Sequence, residues 1–203
     1  MKISRQHLDE YEQRYRANLI NSLSGFKSAN LVGTCNSEGA TNLAIVSSVV
    51  HVGANPPLVG MIMRPNSVPR HTLENIKATE FYTINQVSDK LWQAAHQTSA
   101  RYPREVSEFD AVGLTVENLG GFTAPYVAEA TLKYGLALRE VIKLELNDTE
   151  FVLGEITEIH LPAEHIAADG YVDIEAMKAV TVSGLDSYHI TKRLDRLPYA
   201  KTE

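Results

Sequence analysis

Apolar residues recur at helical spacing near the start of the chain, between charged and amide residues. This spacing of three or four positions predicts one amphipathic helix over residues 4–23, and four residues carry it: Leu8, Tyr11, Tyr15 and Leu19. Gly25 follows, where a helix commonly ends.

The rest of the chain is dominated by apolar, β-branched runs that turn residues separate. These runs predict strands at 29–35, 43–52, 58–63, 80–86, 130–146 and 151–160. Two short helices are predicted at 72–78 and 89–96, and a polar tail is predicted at 180–203. Because strands outnumber helices and do not alternate with them one for one, the pattern favours a mainly β antiparallel barrel with α insertions over a doubly wound parallel sheet. The 203 residues fit a single domain spanning 1–203.

Composition and charge limit which partners and which cellular compartment are expected. Hydrophobic residues make up 44% of the chain and charged residues 22%, as in a globular protein with a sizeable core. The net charge of −6 disfavours nucleic acid and anionic membranes as partners, because both attract basic surfaces. The single cysteine, Cys35, excludes an intrachain disulfide and is expected in the core. With no secretory signal and no bilayer-spanning apolar run, a cytoplasmic protein is predicted.

Residues 64–76 carry the polar groups expected of an anion site. Thr72 is the predicted N-cap of the helix, with Asn75 placed like the second half of a capping box. The free N–H groups and the dipole of a helix start favour an anion. Two guanidiniums, two hydroxyls and an imidazole surround it and suit a phosphate monoester: Arg64, Arg70, Ser67, Thr72 and His71. The alternative is that the arginines are solvated and Thr72 only caps a helix.

Three further polar residues lie close to this segment in sequence. Ser47 and Ser48 interrupt an apolar strand, and their hydroxyls either contact a polar ligand or face solvent. Asn85 ends the strand that follows the helix and is either a turn residue or a ligand donor. No histidine spacing here matches a metal site, since Pro162 interrupts the interval between His160 and His165. Glu108 and Asp110 are interpreted as a helix-end or loop feature.

Eight short runs follow one another in a characteristic order: Ser47-Ser48, Pro56-Pro57-Leu58-Val59-Gly60, Thr72-Leu73-Glu74-Asn75-Ile76, Phe81 to Asn85, Tyr102-Pro103, Glu108-Phe109-Asp110, Gly113-Leu114-Thr115 and Leu153-Gly154-Glu155-Ile156. This ordered set, over about residues 24–160, resembles the FMN-binding core of the flavin reductase-like family, the split-barrel flavoproteins that include flavoredoxin. The resemblance implies an antiparallel split β-barrel of Greek-key type.

The resemblance also implies a site. In such proteins FMN lies in a groove between the two subunits of a homodimer. The likeness places Ser47, Ser48 and Val49 along the isoalloxazine edge. It places five residues around the phosphate, namely Arg64, Ser67, Arg70, His71 and Thr72, and it places Asn85 and Tyr102 near the cofactor. Relatives often carry Lys-Asp-Thr where this chain has Arg70-His71-Thr72, so His71 replaces an acidic residue.

The implied activity is oxidation of NADH or NADPH, with hydride passing through FMN to an unidentified acceptor. Tyr188 and His189 lie in a tail similar to that of part of the family, and they are either candidates for the substrate side of the flavin or packing residues. Two other functions remain open: an electron carrier that binds FMN but ignores pyridine nucleotide, and a small-ligand-binding split barrel without flavin.

Overall fold

The computed structural model describes residues 1–65 and 68–202. Its helices are α1 (Arg5–Glu10), α2 (Gln13–Leu23), α3 (His71–Thr79), α4 (Trp92–Gln97) and α5 (Glu108–Val112). Its strands are β1 (Lys27–Ser28), β2 (Asn30–Cys35), β3 (Thr41–Val46), β4 (Val50–Ala54), β5 (Pro57–Met63), β6 (Phe81–Gln86), β7 (Val116–Glu117), β8 (Tyr126–Val127), β9 (Lys133–Leu144), β10 (Thr149–His160), β11 (Val180–Ser183) and β12 (Ser187–Ile190). No helix in the described part of the chain has the length and apolarity needed to cross a membrane.

Seven antiparallel strands form the main sheet in the order β3-β2-β6-β9-β10-β5-β4. Although β3 and β4 are consecutive in the chain, they lie at opposite edges of this sheet, which curls into a barrel that is split between them. A three-stranded sheet, β1-β11-β12, and a two-stranded sheet, β7-β8, complete the fold. The prediction of a mainly β, antiparallel split barrel with α insertions is confirmed.

The predicted helix over residues 4–23 is broken into α1 and α2. Tyr11 is extended, and the Glu12 carboxylate accepts the backbone N–H groups of Arg14 and Tyr15 at 2.8 and 3.0 Å. A carboxylate that satisfies free donors in this way starts a new helix. The rings of Tyr11 and Tyr15 still meet edge to face at 4.8 Å, so the spacing correctly predicted a contact but not a continuous helix.

The predicted strand over 43–52 is also two strands, because β3 ends at Val46 and β4 begins at Val50. Between them, the Ser48 hydroxyl donates to the Ile62 carbonyl at 2.9 Å and accepts the Ile62 N–H at 3.1 Å. One side chain thus makes the two bonds that a neighbouring strand would make to β5. The chain can then cross the split without leaving the backbone groups of Ile62 unpaired.

The core is divided between the two faces of β2. Val32 packs inside the barrel with residues such as Met61 and Tyr82, whereas Leu31 packs on the other face beneath α4 and α5. Alternate side chains of a strand point to opposite faces, so β2 is buried on both. Cys35 is confirmed as a core residue, and burial raises the pKa of its thiol.

The carboxyl-terminal segment differs from the predicted polar tail. Its first part forms β11 and β12, which pair with each other and, through β11, with β1. The remainder is held by residues of its own chain: Arg193 pairs with Asp173, and the Arg196 guanidinium lies 4.0 Å from the centre of the Tyr171 ring. These contacts anchor a terminus that would otherwise fray.

Candidate functional site

A groove of about 710 Å³ opens where the barrel is split. Its walls come from the segment between β3 and β4, the start of α3, residues 96–104 and the β11–β12 hairpin. Seven of the residues predicted for the site line it: Ser47, Ser48, Arg64, Arg70, His71, Thr72 and Tyr102. Tyr188, predicted for the substrate side, lines it too.

Three guanidiniums gather at this groove, those of Arg64, Arg70 and Arg101. Within the described chain none of the three forms an ion pair with a carboxylate. Burial, and then the charges of Arg64 and Arg101, lower the pKa of Arg70. Like charges held close together repel one another, and a bound anion would reduce this repulsion. The sequence did not single out Arg101, because it lies outside the motif that contains Arg64 and Arg70.

Helix α3 begins differently from the prediction. Arg70, not Thr72, is the N-cap, and the Glu74 carboxylate accepts the Arg70 backbone N–H at 3.1 Å. The same carboxylate pairs with Arg104, and this hydrogen bond is the main reason that the pKa of Glu74 is lowered. The predicted cap at Thr72 is wrong because its hydroxyl donates instead to Asn42, at 2.9 Å.

Beneath the start of α3 lies a buried polar network centred on Asn42. Its side-chain oxygen accepts the hydroxyls of Thr34 and Thr72, and its amide donates to Glu108 at 2.6 Å. The Glu108 carboxylate also accepts the Leu43 N–H at 2.9 Å. Apart from the bond between Thr34 and Asn42 on adjacent strands, these bonds join distant parts of the chain. The set therefore fixes α3 and α5 against β3.

This network corrects the sequence interpretation of Asn75 and adds a contact to that of Glu108. Asn75 is not half of a capping box, because its amide donates to Thr34 at 3.1 Å. Glu108 does lie at a helix end, as the first residue of α5, but it is also buried and lines the groove. The partners of Glu108 lie 65 and 66 residues away, so no local sequence signal marks it.

Three of the predicted cofactor residues lie elsewhere or fall outside the described chain. Val49 packs against the barrel core and does not line the groove. Asn85 is fully buried away from the groove: its amide donates to Leu31 and Thr83, and its oxygen accepts the Val127 N–H. Asn85 is therefore a structural residue that ties β6 to β2 and β8. Ser67 lies outside the described residues.

The carboxyl-terminal pair is divided between two environments. Tyr188 enters the groove, where its hydroxyl lies 3.0 Å from His96 Nδ1. His189 points away, 2.8 Å from the Ser183 hydroxyl and edge to face against Phe26. Side chains alternate along β12, so two adjacent residues do not share one site. The histidine that accompanies Tyr188 is thus His96, which the sequence did not single out.

The chain is similar in sequence and in fold to known proteins. The flavin reductase like domain matches residues 23–175. A candidate flavin reductase with a split barrel domain from Shewanella frigidimarina is 54% identical, with a TM-score of 0.95 over 98% of this chain and 100% of that one. Flavoredoxin of Desulfovibrio vulgaris is 20% identical and has the same fold, with a TM-score of 0.77 over 98% of each chain. An uncharacterised protein of Aquifex aeolicus is 27% identical over 126 residues, which span 61% of this chain and 63% of that protein.

Proposed function

We propose, from the premise that this chain belongs to the flavin reductase-like family, that it is an FMN-dependent oxidoreductase that oxidises NADH or NADPH and reduces a small acceptor. The observation that carries the proposal is the cluster of three guanidiniums beside the start of α3, which form no ion pair with any residue that the structure describes. We also propose a cytoplasmic location, where reduced pyridine nucleotides are available as electron donors.

The residues present suit FMN. A phosphate monoester carries up to two negative charges, and Arg64, Arg70 and Arg101 provide forked donors for its oxygens. The volume of about 710 Å³ lies within the range of cofactor pockets. FMN, when bound, supplies the two-electron chemistry, and the protein supplies position and electrostatics.

The groove residues have separable tasks in this proposal. The arginines bind the phosphate and thereby fix the position of the cofactor in the groove. Ser47, on the segment between β3 and β4, lines the groove and offers a hydroxyl to a polar ring edge. The Ser48 hydroxyl proton is already donated to Ile62, so Ser48 shapes the wall and is not expected to donate to the cofactor.

A second copy of the chain is proposed to cover the outer face of the barrel next to the groove. Cross-strand register places Ile62, Phe151 and Ile142 in one row on this face, with Val50 beside them on β4. Val50, Ile62 and Ile142 are 49%, 37% and 40% exposed. Ile62 also lines the groove, so a partner seated on this apolar patch would help to enclose the cofactor.

The dimer is tested by its mass and by a charge placed on the patch. Light scattering is expected to give about twice the chain mass of 22.5 kDa. Ile142→Lys is expected to shift the protein to monomer, because a charge would have to be buried in an apolar interface. Ile159→Lys is the control, since Ile159 is 56% exposed and lies outside the row. A wild-type monomer, or equal dissociation of both variants, contradicts this assignment.

The proposed activity is tested by anaerobic titration of the FMN-loaded protein. Flavin absorption near roughly 450 nm is expected to bleach on addition of NADH or NADPH and to return with an acceptor. Absorption that bleaches only with dithionite would support an FMN electron carrier instead. Failure to retain FMN on desalting would contradict tight cofactor binding and support a split barrel for another ligand.

A further inference from the structure

One wall of the groove holds a tyrosine fixed between two residues of α4. Trp92 and His96 lie four positions apart and so face the same side of the helix. The Tyr188 ring lies 5.5 Å from the Trp92 ring and 5.7 Å from the His96 ring, the latter edge to face at 86°. Because both neighbours limit rotation of the ring, the Tyr188 hydroxyl has a defined position in the groove.

The electrostatic surroundings keep this hydroxyl protonated. Burial, and then the charge of Asp186 in the β11–β12 turn, raise the pKa of Tyr188. His96 and Asp186 are the titratable groups found beside Tyr188 in the described chain, from α4 and the hairpin respectively. A neutral phenol at neutral pH is a donor, not a base. His96 is exposed, so its ring exchanges protons with water directly.

We infer that Tyr188 donates a proton to an acceptor bound in the groove, and that His96 resupplies it from solvent. This inference rests on the proposed function, which supplies the electron pair. The same wall includes the apolar residues Val182 and Leu185, and this suits an apolar acceptor with an oxygen that can take the Tyr188 proton, such as a quinone.

The atoms and electrons of this reduction balance. A quinone takes up two electrons and two protons to become a hydroquinone. A reduced flavin, when bound, would supply the electron pair together with one of these protons, as hydride. The second moves from Tyr188 to the quinone oxygen, so that the Tyr188 O–H bond breaks as a new O–H bond forms. The tyrosinate then takes the Nδ1 proton of His96, 3.0 Å away, while Nε2 of the exposed ring accepts a proton from solvent, so the imidazole stays neutral. Exchange with solvent restores the Nδ1 proton.

The experiment compares two acceptors in the FMN-loaded protein with NADH or NADPH as donor. Reduction of benzoquinone requires proton uptake, whereas ferricyanide accepts one electron and takes up no proton. Tyr188→Phe is expected to lower kcat/KM for benzoquinone by about 100-fold, the contribution typical of a positioned acid, while the ferricyanide rate changes less than about twofold. Tyr171→Phe is the control, because Tyr171 stacks on Arg196 outside the groove.

His96 acts through Tyr188, so its test is a pH profile. The wild-type benzoquinone rate is expected to fall as pH rises, because fewer protons are available for His96 to pass to Tyr188. His96→Gln is expected to lower this rate about tenfold and to remove the pH dependence. An unchanged profile in this variant overturns the role of His96.

A measurement without turnover tests the hydrogen bond itself. In ¹⁵N-histidine NMR, neutral His96 is expected to carry its proton on Nδ1, which donates to the Tyr188 oxygen, and Tyr188→Phe is expected to shift the proton toward Nε2. Equal loss of both acceptor activities in Tyr188→Phe overturns the inference, as does an unchanged benzoquinone rate. If wild-type FMN is not bleached by either nucleotide, the proposed function fails instead, and the NMR result still reports on the pair.

Discussion

Arg70→Gln is expected to weaken FMN binding by roughly 30- to 150-fold. A hydrogen bond to a charged group contributes about 2 to 3 kcal/mol, and the phosphate would lose a guanidinium whose position is set. Arg70 is half-buried, and its Nε donates to the Pro65 carbonyl at 3.2 Å, so it is held in place before FMN binds. The dissociation constant is measured by titrating the apoprotein into FMN and monitoring the quenching of flavin fluorescence.

Two controls separate the phosphate contact from general damage. Riboflavin has no phosphate, so its weaker binding is expected to change less than about threefold in the same variant. Arg139→Gln removes an arginine that pairs with Glu155 outside the groove and is expected to leave FMN affinity unchanged. Equal losses for FMN and riboflavin would place the phosphate elsewhere.

Arg70→Gln is expected to weaken FMN binding without lowering the stability of the apoprotein. The lowered pKa of Arg70 means that its charged form is disfavoured in the folded apoprotein, first by burial and then by Arg64 and Arg101. This unfavourable contribution is present below the folded-state pKa, and hence at neutral pH. Arg70→Gln is therefore expected to unfold at the same urea concentration as the wild type or a higher one. Binding residues commonly trade stability for affinity in this way.

The sequence predicted the sheet because alternation and apolar runs are local properties. The hairpin of β9 and β10, for example, follows from two apolar runs separated by Asn147-Asp148. The break between β3 and β4 was not predicted, because it depends on one Ser48 hydroxyl that replaces the backbone of a neighbouring strand at Ile62. A side chain that replaces a strand partner does not change the alternation of apolar and polar residues, so the sequence pattern does not reveal it.

The groove was predicted in part for a similar reason. Arg64 and Arg70 lie within one short segment, so their charges could be interpreted together. The pair of Tyr188 with His96 spans 92 residues, and the bond from Thr72 to Asn42 spans 30, so each is fixed only by the folded topology. Asn85 shows the converse error: a polar residue beside a site motif can serve the core when three backbone or hydroxyl partners surround it.

Asn42→Ala is expected to lower the free energy of unfolding by about 3 to 5 kcal/mol. The change removes a donor from the buried Glu108 carboxylate and the acceptor of two buried hydroxyls, those of Thr34 and Thr72. Breaking one partner of a buried charged group typically costs this much, because the remaining groups stay desolvated. Urea unfolding of the apoprotein measures the difference, and Asn118→Ala, at an exposed position, is expected to stay within about 0.5 kcal/mol of the wild type.

The identity of the lost interaction is resolved by a double-mutant cycle with Glu108→Gln. If the bond from Asn42 to Glu108 at 2.6 Å dominates, the two changes are expected to be non-additive by about 1.5 to 3 kcal/mol, since the second alters a carboxylate that has already lost its Asn42 partner and keeps only the Leu43 N–H. Additive losses would show instead that the threonine hydroxyls carry the effect. Because Thr72 belongs to the first turn of α3, below the guanidiniums, Asn42→Ala is also expected to weaken FMN binding at urea concentrations where the protein remains folded. A fully stable Asn42→Ala protein would mean that this network is dispensable for holding α3 against β3.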